Sequence, residues 1–217
     1  DWEMRCPTCG ETAAPAPTDE EKPLHSSSIY AITKKDQEEM CLTVGRAYGI
    51  PTVALRYFNA YGPRQALSNP YTGVAAIFSS RLLNGQPPVI FEDGHQSRDF
   101  VHVSDIVQAN LLAMERDEMD YQAFNVASGR SMTILQVAEL LGQHLDSRQA
   151  PEIALKYRAG DIRHCFADVG LLQAQGYQPR VRFEDGVNEL VKWVRSQRAV
   201  DGFEQAREEL MTRGLAS

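Results

Sequence analysis

Between Ser28 and Tyr57 a long helical pattern is followed at once by a short buried-strand pattern, and this pairing constrains the fold more than any other feature. Ser27 or Ser28 supplies the N-cap, the helix runs to about Tyr48, and Gly49 with Pro51 stops it. Thr52 to Tyr57 is rich in β-branched and apolar residues, as in a strand covered on both faces. The alternation continues. Residues 73–84 fit a helix closed by Asn84-Gly85, and Val89 to Phe91 a short strand before the Asp93-Gly94 turn. Ser104 is expected to cap a helix reaching about Glu115, and Gln122 to Val126 returns as a strand. Thr133 caps a helix to about His144, with Ile134, Val137, Ala138 and Leu141 spaced for one apolar face. Ile153 to Tyr157 is a strand candidate, Asp168 to Gln175 a short helix, and 183–194 and 202–213 amphipathic helices. Such alternation gives an α/β class. Residues 1–24 carry Pro, Ala and charge without apolar periodicity and read as a loop.

Tyr30 and Lys34 sit four positions apart on the first helix and project from one face. A phenol with a pKa near ~10 is a poor acid or base at neutral pH. A neighbouring ammonium favours the phenolate, as a catalyst exchanging a proton with a substrate hydroxyl requires. The plain alternative is a surface tyrosine beside a helical lysine. Tyr57, Phe58 and Asn59 fall at the carboxyl end of a strand, where open α/β sheets bind ligands. Arg56, in mid-strand, reads as one half of a structural ion pair.

Several functions are disfavoured by composition. A net charge of −7 argues against general nucleic-acid binding but leaves room for a nucleotide held by a few local arginines. Apolar runs are only a few residues long, so no membrane span is expected. Four cysteines are too few for a disulfide framework in 217 residues. Cys6 and Cys9 have the spacing of half a zinc knuckle, and a closed structural site needs two further ligands. Cys41, Cys165, His25 or cysteines preceding Asp1 are the candidates; without metal the pair is a tight loop bearing two thiols.

Five motifs occur in order: Tyr30-Ala-Ile-Thr-Lys34, Val53-Ala-Leu-Arg-Tyr-Phe-Asn-Ala-Tyr-Gly-Pro-Arg64, Phe91 to Asp105 with Ser97-Arg-Asp-Phe100 inside it, Phe124-Asn-Val-Ala-Ser-Gly129, and Arg158-Ala-Gly-Asp-Ile-Arg163. In this order they resemble the extended short-chain dehydrogenase/reductase family, the NAD-dependent sugar-nucleotide epimerases and dehydratases, from about Pro23 to Trp193. The 4-epimerases of UDP- and dTDP-sugars are the most similar branch. The Cys6-to-Gly10 insertion and Leu67 to Val74 resemble the dTDP-L-rhamnose enzymes.

The resemblance implies a Rossmann-type domain with a smaller substrate-binding domain. Residues 25–67 would carry the catalytic helix and strand, and 68–217 mainly the substrate domain, with 122–129 returning to the main sheet. It implies NAD as cofactor, a nucleotide-diphosphate sugar as substrate, and a transient 4-keto sugar. Tyr30 would be the acid/base, Lys34 would hold the nicotinamide ribose, and Tyr57 would lie near the nicotinamide through its backbone. Asn59, Asn69, Arg98 and Arg158 would contact the substrate, the two guanidiniums clamping the diphosphate bidentately as lysines would not. His102 and Asp105 read as structural. A cytoplasmic location is expected, with a homodimer when the protein is full length; Ile29, Ile32, Met40 and Val44 would either supply that face or cover the missing part of the sheet.

No two of the fifteen glycines are separated by one or two residues, so a GxGxxG turn is absent from these 217 residues. The expected catalytic Ser or Thr would precede Asp1. The chain therefore reads as the C-terminal part of a longer enzyme, inactive when alone. The alternatives are a 4,6-dehydratase or 4-reductase of the same family, or a non-catalytic module that binds nucleotide sugars.

Overall fold

The computed structural model describes residues 2–67, 73–157, 161–197 and Thr212. Ser28 opens helix α1 (Ile29–Tyr48), its Oγ accepting from Ala31 N at 3.1 Å, and Gly49 closes it in the left-handed region at φ 65°. Gly45 lies so close to Thr52 and to the Ile50 carbonyl that any Cβ there would collide. The helix thus turns back tightly into β1 (Ala54–Tyr57). There follow β2 (Asn59–Tyr61), α2 (Val74–Leu83), β3 (Val89–Ile90), β4 (Ser97–His102) and α3 (Val103–Glu115). The chain continues through β5 (Ala123–Val126), β6 (Ser131–Thr133), α4 (Ile134–His144), β7 (Glu152–Ile153), β8 (His164–Cys165), α5 (Gly170–Ala174) and α6 (Phe183–Val194).

β1 and β5, the two strands expected in the main sheet, pair in parallel with Leu55 opposite Phe124 and Tyr57 opposite Val126. A second sheet is centred on β4, which takes β2 and β8 in parallel along one edge and β6 antiparallel on the other. β3 and β7 form a short parallel pair.

The cores follow this division of sheets. The largest packs α2, α4 and α6 around Tyr61, Phe100 and Phe183. Gly186 lets α6 approach closely, since a Cβ there would strike the Tyr61 hydroxyl. A second core joins β5, α3 and α5 through Phe124, Val126, Ala109, Leu172 and Tyr177. Among the described residues no helix is long and apolar enough to cross a membrane.

Two expectations are corrected. α3 begins at Val103 rather than after a Ser104 cap: the His102 ring is the cap, its Nδ1 accepting from Ser104 N at 3.3 Å. The strand expected over Ile153 to Tyr157 ends at Ile153, because Glu92 and Leu155 both turn to positive φ (54° and 53°) and the paired segments leave the ladder together. The expected 202–213 helix lies outside the described residues apart from Thr212.

Candidate functional site

The setting of α1 is fixed by one polar anchor. Arg56 of β1 grips Glu38 with two parallel bonds, Nε to Oε2 at 2.8 Å and Nη2 to Oε1 at 2.6 Å, while Nη1 donates to the Glu20 carbonyl at 2.9 Å. Both side chains are largely buried, and the bonds to Glu38 raise the Arg56 pKa. The mid-strand ion pair read from the sequence is present, with a partner on α1. Glu20 adds a second tie, its Oε1 accepting from Asn125 N at 2.8 Å.

Lys34 and Tyr30 lie one and two turns from Glu38 toward the start of α1, about 6 and 12 Å along the axis at ~1.5 Å per residue. Because α1 reverses directly into β1, that direction leads past the carboxyl end of the strand, where open α/β sheets bind ligands. Tyr30 is 71 % exposed. The Lys34 ammonium stands 5.7 Å from its ring centroid and donates to Gln37 Oε1 at 3.2 Å. Tyr57 ends β1 with its hydroxyl donating to Asn110 Oδ1 of α3 at 3.0 Å, so its side chain lies on the opposite face from Arg56.

On the second sheet Asn59 is registered with Phe100, two residues from Arg98, so Asn59 and Arg98 share one face of adjoining strands. Arg98 Nη1 donates to the Ser97 and Arg163 carbonyls at 2.8 and 3.1 Å. It forms no salt bridge among the described residues. Burial lowers its pKa, with Asp161 as the leading opposing charge. A half-buried guanidinium whose Nε and Nη2 have no partner among the described residues is a cation that an incoming anion would stabilise. Asn69 and Arg158 fall outside the described residues.

Other polar residues build the frame. Asp99 is fully buried and accepts from Ser128 N and Oγ, Gly129 N and Ala167 N at 2.6–3.3 Å. Burial raises its pKa against the pull of these bonds. Its place beside Arg98 in the sequence gave no sign of this role. Asp105 is structural, as expected, but by a longer reach: it accepts from Arg180 N and Val181 N at 3.1 Å each. A cavity of about 240 Å³ lined by Phe100, Arg130, Met132, Val181 and Arg182 includes none of the site residues expected from the sequence.

Cys6 and Cys9 lie in a hairpin closed by Cys6 N to Glu11 O at 2.8 Å and Gly10 N to Cys6 O at 2.9 Å. The amides of Cys9 and Thr8 hold the Cys6 thiol below the usual thiol range. Among the described residues no group of three or more His, Cys, Asp or Glu side chains could hold a metal ion. The zinc expectation is not met there. Cys41 is placed on α1 and Cys165 in β8, and neither joins the pair.

The chain is similar to known proteins over most of its length. The family model described as NAD dependent epimerase/dehydratase matches residues 6–127. The dTDP-L-rhamnose 4-epimerase of Burkholderia thailandensis is 32% identical over 186 residues, 85% of this chain and 51% of the relative. The UDP-N-acetylglucosamine 4-epimerase of Methanobrevibacter ruminantium, solved with UDP-N-acetylmuramic acid, superposes with a TM-score of 0.78 at 40% identity, covering 84% of this chain and 58% of that one. The Thermus thermophilus UDP-glucose 4-epimerase, solved with NAD, gives 0.75 at 30% identity, covering 87% and 60%. The chain spans about half the length of the curated relatives it matches.

Proposed function

Because the chain belongs to the NAD-dependent epimerase/dehydratase family, we propose that it carries the acid/base helix and the diphosphate contacts of a nucleotide-sugar 4-epimerase acting on a dTDP- or UDP-hexose. The observation that carries this reading is the Arg56–Glu38 anchor, which directs Lys34 and Tyr30 past the carboxyl end of β1.

In this reading the Tyr30 oxygen takes the proton from the sugar 4-hydroxyl and returns it after the carbon has inverted. Lys34 stabilises the charge that develops on that oxygen. Its exposed ammonium, bonded to Gln37 alone among the described residues, retains N–H donors for a ribose hydroxyl, so Tyr30, Lys34 and the Tyr57 backbone are the residues here that would hold NAD. NAD, when bound, supplies reversible hydride exchange at C4 of the sugar. Arg98 meets the diphosphate and Asn59 donates to it from the same face; Arg158 and Asn69 are assigned to substrate on their motifs alone. The helix and strand of 25–67 belong with 122–129 to the nucleotide-binding part, and the rest of 68–217 to the substrate part. A cytoplasmic homodimer formed through the exposed face of α1 fits this chemistry.

The test is NMR observation of C4 epimer formation from UDP-glucose or dTDP-L-rhamnose with NAD, using the longest natural form of the protein. Tyr30→Phe should reduce turnover by at least ~100-fold. Turnover within a few-fold of wild type would remove Tyr30 from the mechanism.

A further inference from the structure

Arg163 is gripped by more carboxylates than its charge requires. Nη1 donates to Glu92 Oε2 at 2.7 Å and Asp93 Oδ1 at 2.6 Å, and Nη2 to Asp93 Oδ2 at 3.0 Å and Glu3 Oε1 at 2.5 Å. Nε adds a further bond to Glu3 at 3.1 Å. The neighbouring His164 is held too, by Glu3 Oε2 at 3.1 Å and by Ser97 Oγ at 2.9 Å. Three segments distant in sequence are thereby tied together: the stretch at Glu3, the turn after β3, and the entry to β8.

What this cage immobilises is a backbone carbonyl. The Arg163 oxygen accepts from Ser97 N at 3.1 Å and from Arg98 Nη1 at 3.1 Å. Among the described residues Arg98 has one other acceptor, the Ser97 carbonyl, which moves with the same strand. The direction in which Nε and Nη2 face is thus set by where Arg163 is held.

We propose that Arg163, locked by Glu3, Glu92 and Asp93, is a positioning residue that aims the Arg98 guanidinium at the diphosphate of a nucleotide ligand. This rests on the reading of Arg98 as a diphosphate contact. It gives the 1–24 segment a part in ligand binding through Glu3, although that segment carries none of the motifs of the site. A guanidinium displaced by a fraction of an ångström still attracts an anion but loses the paired geometry that makes the contact strong.

The experiment is a double-mutant cycle read by calorimetric titration with UDP, with uridine as the ligand that lacks the diphosphate. The proteins are wild type, Arg98→Ala, Arg163→Met and the double variant, each held below its unfolding transition as followed by circular dichroism. Arg98→Ala should weaken UDP by roughly tenfold or more, as expected for loss of a charge-assisted contact. Arg163→Met should weaken it about three- to tenfold in the wild-type background and add nothing once Arg98 is gone. If Arg163→Met does not fold, Glu3→Ala, at a half-exposed side chain, takes its place in the same cycle. An equal loss in both backgrounds, or no loss in either, overturns the positioning role while leaving Arg98 in place. Failure of wild type to bind UDP, or binding unchanged by Arg98→Ala, overturns the diphosphate reading and this proposal with it.

Discussion

Helices α6 and α1 are held in opposite ways. α6 buries Phe183, Gly186, Val187, Leu190, Val191 and Val194 in the largest core, whereas α1, eight residues longer, buries only Leu42 and Gly45. Ile29, Ile32, Met40 and Val44 of α1 remain between 43 and 77 % exposed. Burial of apolar area is strong but non-directional, so it holds α6 firmly without fixing any one polar atom. The Arg56–Glu38 fork supplies less energy and more direction. The proposed role of α1, to aim Tyr30 and Lys34, calls for the second kind of restraint.

The largest expected effect lies on the α6 side. Leu190→Ala should cost about 3 kcal/mol in urea denaturation, the usual loss for a fully buried leucine. A loss below ~1 kcal/mol would mean that the core repacks freely and would break the contrast. Next comes Arg56→Met, which leaves Glu38 partly buried without its partner and should cost about 2 kcal/mol. Arg56→Lys keeps the charge but not the fork, and should recover less than half of that loss in the same assay.

A smaller effect depends on pH. Bonds from Arg163 and then His164 lower the Glu3 pKa, and Arg163 lowers that of Asp93 against the opposing effect of burial. Groups with depressed folded pKa values stabilise fully above their unfolded values, near ~4, and that stability is lost as pH falls through the folded values. The urea midpoint should therefore fall on acidification below about pH 4, and less steeply in Glu3→Gln. The difference between the two proteins isolates Glu3 from Asp99, whose buried carboxyl shifts the other way. Parallel curves would show that Glu3 contributes nothing to the cage.

The smallest effect is expected on the open face of α1. Ile29→Ser and Val44→Ser should change stability by no more than about 0.5 kcal/mol. Sedimentation should show weaker self-association if that face joins two copies. A loss of several kcal/mol would reveal a partner for α1 that the described residues do not show.

The α/β alternation was legible because caps and breakers are local signals. Ser28, Gly49 and Thr133 each act within a few residues of themselves, and Thr133 forms the expected cap with Gln136. The site was legible only as a set of motifs. Arg56 could be read as an ion-pairing residue, but Glu38, 18 positions away, could not be picked from the acidic residues on α1. Glu3 and Arg163 are 160 positions apart, and nothing local marks either as the other's partner. The strands β6 and β8, of three and two residues, are too short for periodicity to register. His102 was legible as a structural residue; it ends β4, and its capping of α3 depends on ring orientation alone.

The most direct test of the account is native mass spectrometry of the wild-type chain and Arg98→Ala, each offered UDP-glucose and dTDP-L-rhamnose. Wild type should retain at least one of these nucleotide sugars, and Arg98→Ala should lose it. Equal retention by the two proteins, or retention by neither, would contradict the account.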